Sequence, residues 1–259
     1  MSTNYIAPIW RMPENANNVA DKLSNYSIDF DGAGNYIDCG NGVGNMIGDN
    51  YTEGLAISFW FKAKTIAGQE QGFFIFEGST LWGEITAYYY FGKLELRVEG
   101  DDKNLDYSFS DTDNFHHLLI NFLGPSEDNQ VYLDGAAIGP TFTYASTGLD
   151  LDTEALKIGY TYSSSYDFDG AISQFTVFKS SLNSDQINYL YNLNNPMVPG
   201  NVNLPTPIAY YPLGDNSNPN APGSFPNISV GADSVFDFAG VSGSDYIDSG
   251  IVTGKHWVI

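Results

Sequence analysis

Hydrophobic and polar residues alternate along much of the chain with the two-residue period of a β-strand. In LAISFWFKAK, which starts at Leu55, one face carries only Leu, Ile, Phe and Ala. In KLELRVEG, which starts at Lys93, the residues Leu94, Leu96 and Val98 fall on one face and charged residues on the other. Similar patterns predict further strands over Tyr26–Phe30, Gly72–Phe76, Ile85–Phe91, Phe115–Leu123, Gln130–Leu133, Leu156–Tyr160 and Ala171–Phe178. Asp-Gly pairs between strands suit tight turns, so the pattern predicts an all-β, antiparallel sandwich of two sheets.

One helical pattern interrupts the strands, in the segment SLNSDQINYLYNLNN. Asn183 suits the N-cap position, and Gln186, three residues later, completes a capping box. Leu182 and Ile187 flank the cap as a hydrophobic staple. Because Pro196 cannot continue a helix, the sequence predicts one short helix that ends before it.

A partial repeat divides the chain. SIDFDGAGNYIDCG, from Ser27, resembles SVFDFAGVSGSDYIDSG, from Ser234, and IWRMPEN, from Ile9, matches YYPLGDN, from Tyr210. The matches keep the same order, which indicates a tandem duplication. The proline-rich segment PMVPGNVNLPTP between the copies predicts a stiff linker. We therefore predict a first domain over residues 1–195, a linker over 196–207 and the opening strands of an incomplete second copy over 208–259.

The chain is strongly acidic, with 31 Asp and Glu residues against 10 Lys and Arg residues and a formal net charge of −21. Such a surface repels phosphate backbones and anionic lipids, so nucleic acid and membranes are not expected as partners. No stretch reaches the roughly 18 apolar residues of a membrane-spanning helix, and no membrane insertion is expected. The single cysteine, Cys39, excludes an internal disulfide and is expected to be a small buried hydrophobe.

Four blocks of sequence, taken in order, resemble the laminin-G-like domain of the concanavalin A-like lectin family. They are YSIDFDGAGNYIDCG, ISFWFKAK, FHHLLINF with NQVYLDGAAIG, and LKIGY with YDFDGAISQFTVFKSSLNSDQINYLYN. The resemblance covers about Tyr5 to Asn195, and a second copy begins near Ile208. It implies a jelly-roll sandwich of two curved antiparallel sheets, as in phage and bacterial surface structural proteins. It implies no particular activity, because this fold carries lectins, adhesion modules, glycosidases and inert spacers.

Candidate catalytic groups are few. A glycosidase needs two carboxylates about 5 to 9 Å apart, and the Glu-x-Asp-x-x-Glu pattern common to glycosidases of the resembled fold is absent. Glu95 and Glu99 share a strand face, but four strand steps place their Cα atoms about 13 Å apart. The resemblance puts His116 and His117 at the beginning of a core strand, where we expect structural roles. The sequence therefore predicts no catalytic residue and no enzymatic activity.

Acidic residues gather in predicted turns, and calcium is the metal that they suit best. Asp29, Asp31 and Asp38 flank the first of these turns. Ca²⁺ takes about six to eight oxygen ligands, many of them backbone carbonyls, so carboxylates in a turn are candidate ligands. An acidic, solvated surface explains the same residues without a metal. We expect that no cofactor is required, and that calcium, where bound, uses these three side chains.

Aromatic residues provide a second kind of candidate site. Tyr160, Tyr162 and Tyr166 surround a serine-rich loop in YTYSSSYDFDG. A tyrosine offers a sugar an apolar ring face together with a hydroxyl for hydrogen bonding. These tyrosines are therefore candidate ligand-binding residues for carbohydrate, and packing within or between the sheets is the alternative.

By elimination, the sequence predicts a non-enzymatic structural or adhesion protein on the surface of a virion, as a capsid-decorating or tail-associated protein of a bacterial virus. Domains of the resembled family act outside cells, this N-terminus has no signal-peptide pattern, and virion proteins reach the outside by assembly and lysis. The alternative is a carbohydrate-binding module of a bacterial cell-surface or secreted protein. The expected partners are other copies of the chain, other virion proteins and cell-surface glycans.

The second copy suggests how the chain assembles. Two or three strands alone are marginal in water, and their unpaired edges readily pair with other strands. We therefore expect a neighbouring subunit to complete the partial copy, with residues 1–195 folding by themselves. The contact residues would be Val235, Phe236, Phe238 and Tyr246. The other explanation is that the chain is a fragment of a longer tandem protein.

Overall fold

The computed structural model describes residues 27–65, 69–78, 82–163, 165–191, 204–211 and 213. In this part of the chain the strands are β1 (Ile28–Asp31), β2 (Ile37–Asp38), β3 (Leu55–Ala63), β4 (Gln71–Glu77), β5 (Ile85–Tyr90), β6 (Lys93–Val98), β7 (Asp101–Asp102), β8 (Tyr107–Ser108), β9 (His116–Phe122), β10 (Asn129–Leu133), β11 (Ala136–Phe142), β12 (Ala155–Ile158), β13 (Asp169–Phe178) and β14 (Ala209–Tyr211). The helices are α1 (Gly42–Ile47) and α2 (Ser184–Tyr191).

The strands form two seven-stranded sheets in which the neighbouring strands are antiparallel. Sheet A has the order β1-β13-β3-β9-β10-β11, with β14 on another part of β13. Sheet B has the order β2-β12-β4-β5-β6-β7, with β8 on β6. This arrangement confirms the predicted all-β jelly-roll sandwich.

The core between the sheets is built mainly from aromatic and aliphatic side chains on alternate strand positions. Phe59 of β3 is fully buried, and its ring centroid lies 5.6 Å from that of Phe175 and 5.7 Å from that of Phe74 in the opposite sheet. On β6, Leu94 and Leu96 join the same core, as the alternation predicts. The intervening residues of β6 therefore define an outer face of sheet B.

Helix α1 is a correction to the sequence analysis, which predicts a single helix. Its six residues include two glycines, and the Asn41 side chain makes no capping hydrogen bond. Packing holds the turn in place, since Val43 and Ile47 are buried in the core. A Cβ atom on Gly44 would lie 2.0 Å from the Leu151 carbonyl oxygen, so only glycine permits this approach. Tertiary contacts of this kind leave no local signal in the sequence.

Helix α2 confirms the predicted helix and its cap. The Gln186 backbone N–H donates to Asn183 Oδ1 at 2.9 Å, and the Asn183 backbone N–H donates to Gln186 Oε1 at 3.0 Å. Leu182 and Ile187 are buried together against the outer face of sheet A, in a small cluster with Leu190. The helix therefore covers sheet A on the side away from the core.

Trp60 lies beneath α2 and explains why both faces of β3 are buried. Its ring centroid is 6.1 Å from that of Tyr191 in the helix and 5.2 Å from that of His117 on β9. His117 is 1% exposed, and its Nε2 lies 2.8 Å from Ser58 Oγ. Burial lowers the pKa of His117 to about 4, so the ring is neutral near pH 7. These contacts are those of a structural histidine.

Replacing the N-cap residue by Asn183→Ala should lower the free energy of unfolding by about 1 kcal/mol, because the Gln186 backbone N–H loses its acceptor, Asn183 Oδ1. Chemical denaturation followed by circular dichroism measures the change. Asn188→Ala is the matched control, since Asn188 is exposed in the middle of the same helix. Equal stability of the two variants would show that the cap contributes nothing.

Strand β14 pairs with Phe175–Val177 of β13, on the edge whose other half pairs with β1. Ala209 and Tyr210 are buried there, and the Tyr210 hydroxyl donates to Gln174 Oε1. The sequence match assigns this strand to the beginning of the second copy, whereas here it extends sheet A of the first. The boundaries at residues 195 and 208 otherwise stay predictions, because most of the predicted second copy lies outside the described residues.

Candidate functional site

The loop that carries the candidate tyrosines joins β12 to β13 and folds back over the beginning of β4. The Gly72 backbone N–H donates to the Tyr166 carbonyl at 2.9 Å, and the Tyr166 N–H donates to the Ser163 carbonyl at 2.9 Å. A Cβ atom on Gly72 would lie 2.3 Å from the Tyr160 carbonyl carbon, so glycine allows the loop to approach the strand. The loop thus holds its rings at the edge of the outer face of sheet B.

Two of the three candidate tyrosines form a cluster of half-buried rings with a tryptophan. The Tyr162 ring centroid lies 4.2 Å from that of Trp82, in an edge-on arrangement, and 5.4 Å from that of Tyr166. We call Trp82, Tyr162 and Tyr166 the Tyr162 platform. Burial is the main cause that raises the pKa of Tyr162 to about 12, so its hydroxyl stays protonated at neutral pH. The platform therefore combines apolar ring surface with the neutral hydroxyl of Tyr162.

The third candidate, Tyr160, pairs with a different ring. Its centroid lies 4.7 Å from that of Tyr36, which is 40% exposed in the turn between β1 and β2. Lys157 Nζ is 4.9 Å from the Tyr160 ring centroid and forms an ion pair with Glu77. The structure thus brings together Tyr162 and Tyr166, and it places Tyr160 in a second aromatic pair.

Arg97 packs beside the Tyr162 platform on the outer face of sheet B. Its guanidinium carbon lies 4.9 Å from the Trp82 ring centroid and 4.1 Å from that of Tyr88. Arg97 Nη1 donates to Glu70 Oε1 at 2.8 Å, and Arg97 Nε donates to Asp102 Oδ1 at 2.8 Å. The Tyr88 hydroxyl donates to the same Asp102 oxygen at 2.6 Å. Stacking and charge-assisted hydrogen bonds therefore fix this side chain on the outer face.

Sequence reasoning missed Trp82, Tyr36 and Arg97 as parts of this surface. The alternation in KLELRVEG places Arg97 on the outward face, which is a usable signal. Trp82 lies in the connection before β5 and Tyr36 in a turn, where no periodic pattern applies. Their approach to the tyrosine loop depends on the order of strands in sheet B, which the sequence does not contain.

The predicted calcium ligands lie on two different sheets. Asp29 and Asp31 are on β1 in sheet A, and Asp38 is on β2 in sheet B. Lys64 Nζ donates to Asp29 Oδ2 at 2.7 Å, while Asp31 and Asp38 accept backbone N–H groups from their own turns. Among the described residues, no group of three or more His, Cys, Asp or Glu side chains could hold a metal ion. Calcium binding at these residues stays a prediction.

A buried carboxyl group, Glu84, lies before β5 at the other end of this region. It is 7% exposed and accepts the Asp150 backbone N–H at 3.0 Å. Burial, opposed by that hydrogen bond and reinforced by Glu99 and Glu154, raises the pKa of Glu84 to about 7. Such a group can hold a proton near neutral pH beside other carboxylates, although its burial keeps it from direct contact with a large substrate.

Asp167 is a second buried carboxyl group, next to the tyrosine loop. It is 3% exposed, and neither of its oxygens has a hydrogen-bond partner of good geometry in the described part of the chain. Burial raises the pKa of Asp167 to about 6, an effect that the nearby Gly34 N–H opposes and Asp31 strengthens.

The remaining candidates are a histidine, the cysteine and the assembly residues. His116 Nδ1 lies 2.7 Å from Asp134 Oδ2, and this contact raises the pKa of His116. Burial raises the pKa of the Cys39 thiol to about 12, which makes it a poor nucleophile. The predicted assembly residues Val235, Phe236, Phe238 and Tyr246 lie outside the described residues. Their role stays a prediction.

Comparison with known proteins gives a family and several similar folds. A family model described as the concanavalin A-like lectin/glucanases superfamily matches residues 31–188. A search of curated proteins gave no match. Within the described residues, no helix has the length and apolar character needed to cross a membrane.

Similar solved structures include a sialidase and a pentraxin. Trypanosoma rangeli sialidase in complex with 2,3-difluoro-KDN has a TM-score of 0.50 and 14% identity, covering 65% of this chain and 28% of the sialidase chain. The same sialidase in complex with sialic acid has a TM-score of 0.49 and 13% identity, covering 66% and 29%. The native heptameric SAP-like pentraxin from Limulus polyphemus has a TM-score of 0.46 and 12% identity, covering 62% and 76%. At these identities the likeness is one of fold alone.

The sialidase match corrects the prediction that the protein is not an enzyme. That prediction rested on the missing glycosidase pattern, and it is wrong because the solved structures that share this fold include a sialidase, which is an enzyme. The match spans only 28% of the sialidase chain, so it assigns no catalytic residue to this chain. The missing motif therefore carries no conclusion about enzymatic activity.

Proposed function

We propose that this chain, which belongs to the concanavalin A-like lectin/glucanases superfamily, binds carbohydrate through aromatic side chains at the outer face of sheet B. A lectin-like domain of this superfamily suggests carbohydrate binding or adhesion. The observation that supports the proposed site is the Tyr162 platform. Its half-buried rings offer apolar surface to a ligand on a protein whose sequence is otherwise strongly acidic.

The chemistry of the platform suits a sugar. An aromatic ring packs against the C–H groups of a sugar face, and tyrosine hydroxyls and carboxylates exchange hydrogen bonds with its hydroxyls. The Arg97 guanidinium packs against the Trp82 and Tyr88 rings, so these rings are held in position before a ligand binds. A preorganised site loses less side-chain entropy on binding than a flexible one.

Replacing Tyr160, Tyr162 and Tyr166 together by alanine should weaken glycan binding by at least about 1–3 kcal/mol, by analogy with stacking of bases on aromatic side chains. A glycan array identifies the bound sugars, and titration calorimetry then measures the affinity of both proteins. Tyr132→Ala is the control, because Tyr132 lies on β10 in the other sheet. Unchanged glycan affinity in the triple variant, with the fold intact, would place the binding surface elsewhere.

We further propose that the biological setting is the surface of a virion, where the protein decorates the capsid or associates with the tail of a bacterial virus. Its expected partners there are other copies of itself, other virion proteins and cell-surface glycans. The net charge of −21 supports solubility and disfavours nucleic acid as a partner. The second candidate is a carbohydrate-binding module of a bacterial cell-surface or secreted protein.

Electron microscopy of particles labelled with an antibody against the chain distinguishes these settings. Label on capsids or tails would support the virion proposal. Label on the bacterial envelope in the absence of particles would support the second candidate and contradict the first.

A further inference from the structure

We infer that the Tyr162 platform takes a neutral, hydroxyl-rich sugar and discriminates against sugars that carry a carboxylate, such as sialic and uronic acids. This inference rests on the proposed carbohydrate-binding function and names the ligand class of the same site. It depends on the ion pairs that the positively charged side chains beside the platform already form with carboxylates of the protein.

Arg97 is the cation that lies against the platform rings in the described part of the chain, and its charge is satisfied within the protein. Both of its terminal nitrogens face the Glu70 carboxylate, with Nη1 to Oε1 at 2.8 Å and Nη2 to Oε2 at 3.4 Å. Its Nε donates to Asp102. A guanidinium paired in this way is not available to bind the carboxylate of a sugar.

The pair with Glu70 is shielded from water, because the side chains of Arg97 and Glu70 are only 11% and 5% exposed. Breaking it to bind a ligand carboxylate would leave a buried charge unpaired, which is costly. Burial lowers the pKa of Arg97, but the Glu70 hydrogen bond and the neighbouring Tyr88, Glu70 and Asp102 groups together raise it by more, so the pKa of Arg97 is raised. The arginine thus serves to hold the rings, and its role toward a ligand is indirect.

The charge that reaches solvent at this point is negative. The Asp102 side chain is 54% exposed, whereas its arginine partner is almost covered. With two carboxylates on one guanidinium, the group keeps a net negative charge beside the rings. A carboxylate accepts hydrogen bonds from sugar hydroxyls but repels a second carboxylate.

The neighbouring aromatic pair has the same character. Lys157, which lies over the Tyr36 and Tyr160 rings, is paired with Glu77, and Asp38 is its cross-strand neighbour on β2. A ligand that extends from the platform toward this pair would therefore meet Lys157, whose charge is already balanced by Glu77.

Matched glycan pairs test the inference on the full-length protein. Each pair contains a neutral oligosaccharide and the same oligosaccharide capped with sialic acid or glucuronic acid. We expect the neutral member to bind more tightly by on the order of tenfold, since one like-charge contact near a protein surface costs about that much.

Two neighbouring residues of β7 provide the decisive comparison. Asp102→Asn removes the exposed charge beside Arg97 and should reduce the neutral-to-acidic affinity ratio by at least about threefold. Asp101→Asn removes an exposed charge from the adjacent residue, whose cross-strand partner is Val98 and not Arg97, and should leave the ratio nearly unchanged. Thermal unfolding verifies that both variants are folded.

The possible outcomes separate this inference from the proposed function. Equal binding of both members, preference for the acidic member, or equal ratios in the two Asn variants would overturn the inference while leaving carbohydrate binding intact. Binding of no glycan on the panel would overturn the proposed function and the inference with it.

Discussion

A chain that ends at residue 195 should be less stable than one that ends at residue 213 by about 2–4 kcal/mol, although the shorter chain contains the whole predicted first domain. The difference comes from β14, which covers half of the β13 edge. Ala209, Tyr210 and Leu213 are 0%, 3% and 8% exposed, and their burial outweighs the entropy lost in ordering a short segment. Removing them also leaves backbone groups of Phe175–Val177 without partners.

Urea denaturation of the two chains, followed by tryptophan fluorescence and circular dichroism, measures this difference. Tyr210→Phe in the longer chain separates the hydrogen bond to Gln174 from the burial of the ring, and it should lose only about 1 kcal/mol. Coincident denaturation curves for the chains ending at 195 and 213 would mean that β14 adds nothing to the first sandwich. They would agree with the boundary at residue 195 that the sequence predicts.

Acidification from pH 8 to pH 6.5, above the range in which the lowered pKa of His117 opposes it, should stabilise the protein by up to about 1 kcal/mol at constant ionic strength. Burial raises the pKa of Glu84 from its ordinary value of 4.5 to about 7 and that of Asp167 from 3.8 to about 6. Between the unfolded and folded pKa values the native state binds more protons than the unfolded state, so stability falls as pH rises. The contribution is complete below about pH 4 and is lost as pH rises through 6 to 7.

Glu84→Gln should raise the free energy of unfolding at pH 8 and flatten its pH dependence, because the amide keeps an oxygen for the Asp150 N–H without a charge. Glu127→Gln, at an exposed position, is the matched control for the general effect of removing one negative charge. Thermal unfolding at several pH values measures both. A Glu84 variant as sensitive to pH as the control would contradict the raised pKa. So would a loss of stability in the parent protein between pH 8 and pH 6.5.

The parts of the fold that follow from local chemistry were predictable. Alternation identified β3 and β6 because each buries one face in the same core, and Asn183 and Gln186 marked α2 because they exchange hydrogen bonds three residues apart. Helix α1 was missed because Gly44 is required by its contact with Leu151, which lies more than a hundred residues away in the sequence. Burial of both faces of β3 also depends on a distant element, α2.

In the candidate site, too, some features follow from the local sequence and others depend on residues far apart in the chain. Clustering of tyrosines in YTYSSSYDFDG made Tyr162 and Tyr166 candidates, and the structure brings these two together. Tyr160 is drawn away to Tyr36 because β12 pairs with β2 on one side of the sheet. Trp82 contacts the platform from the connection between β4 and β5, and Arg97 contacts it from β6. Strand order, which the chain specifies only through its complete packing, decides which rings meet.

The positions of the two tryptophans in the described residues give the protein separate optical reporters for its two faces. Trp60 is buried between sheet A and α2, whereas Trp82 is half-buried beside Arg97 and Tyr162. Detachment of the helix therefore changes the emission of Trp60, and occupation of the platform changes that of Trp82. Trp60→Phe and Trp82→Phe difference spectra thus separate movement at the helix from events at the ring surface, without any attached dye.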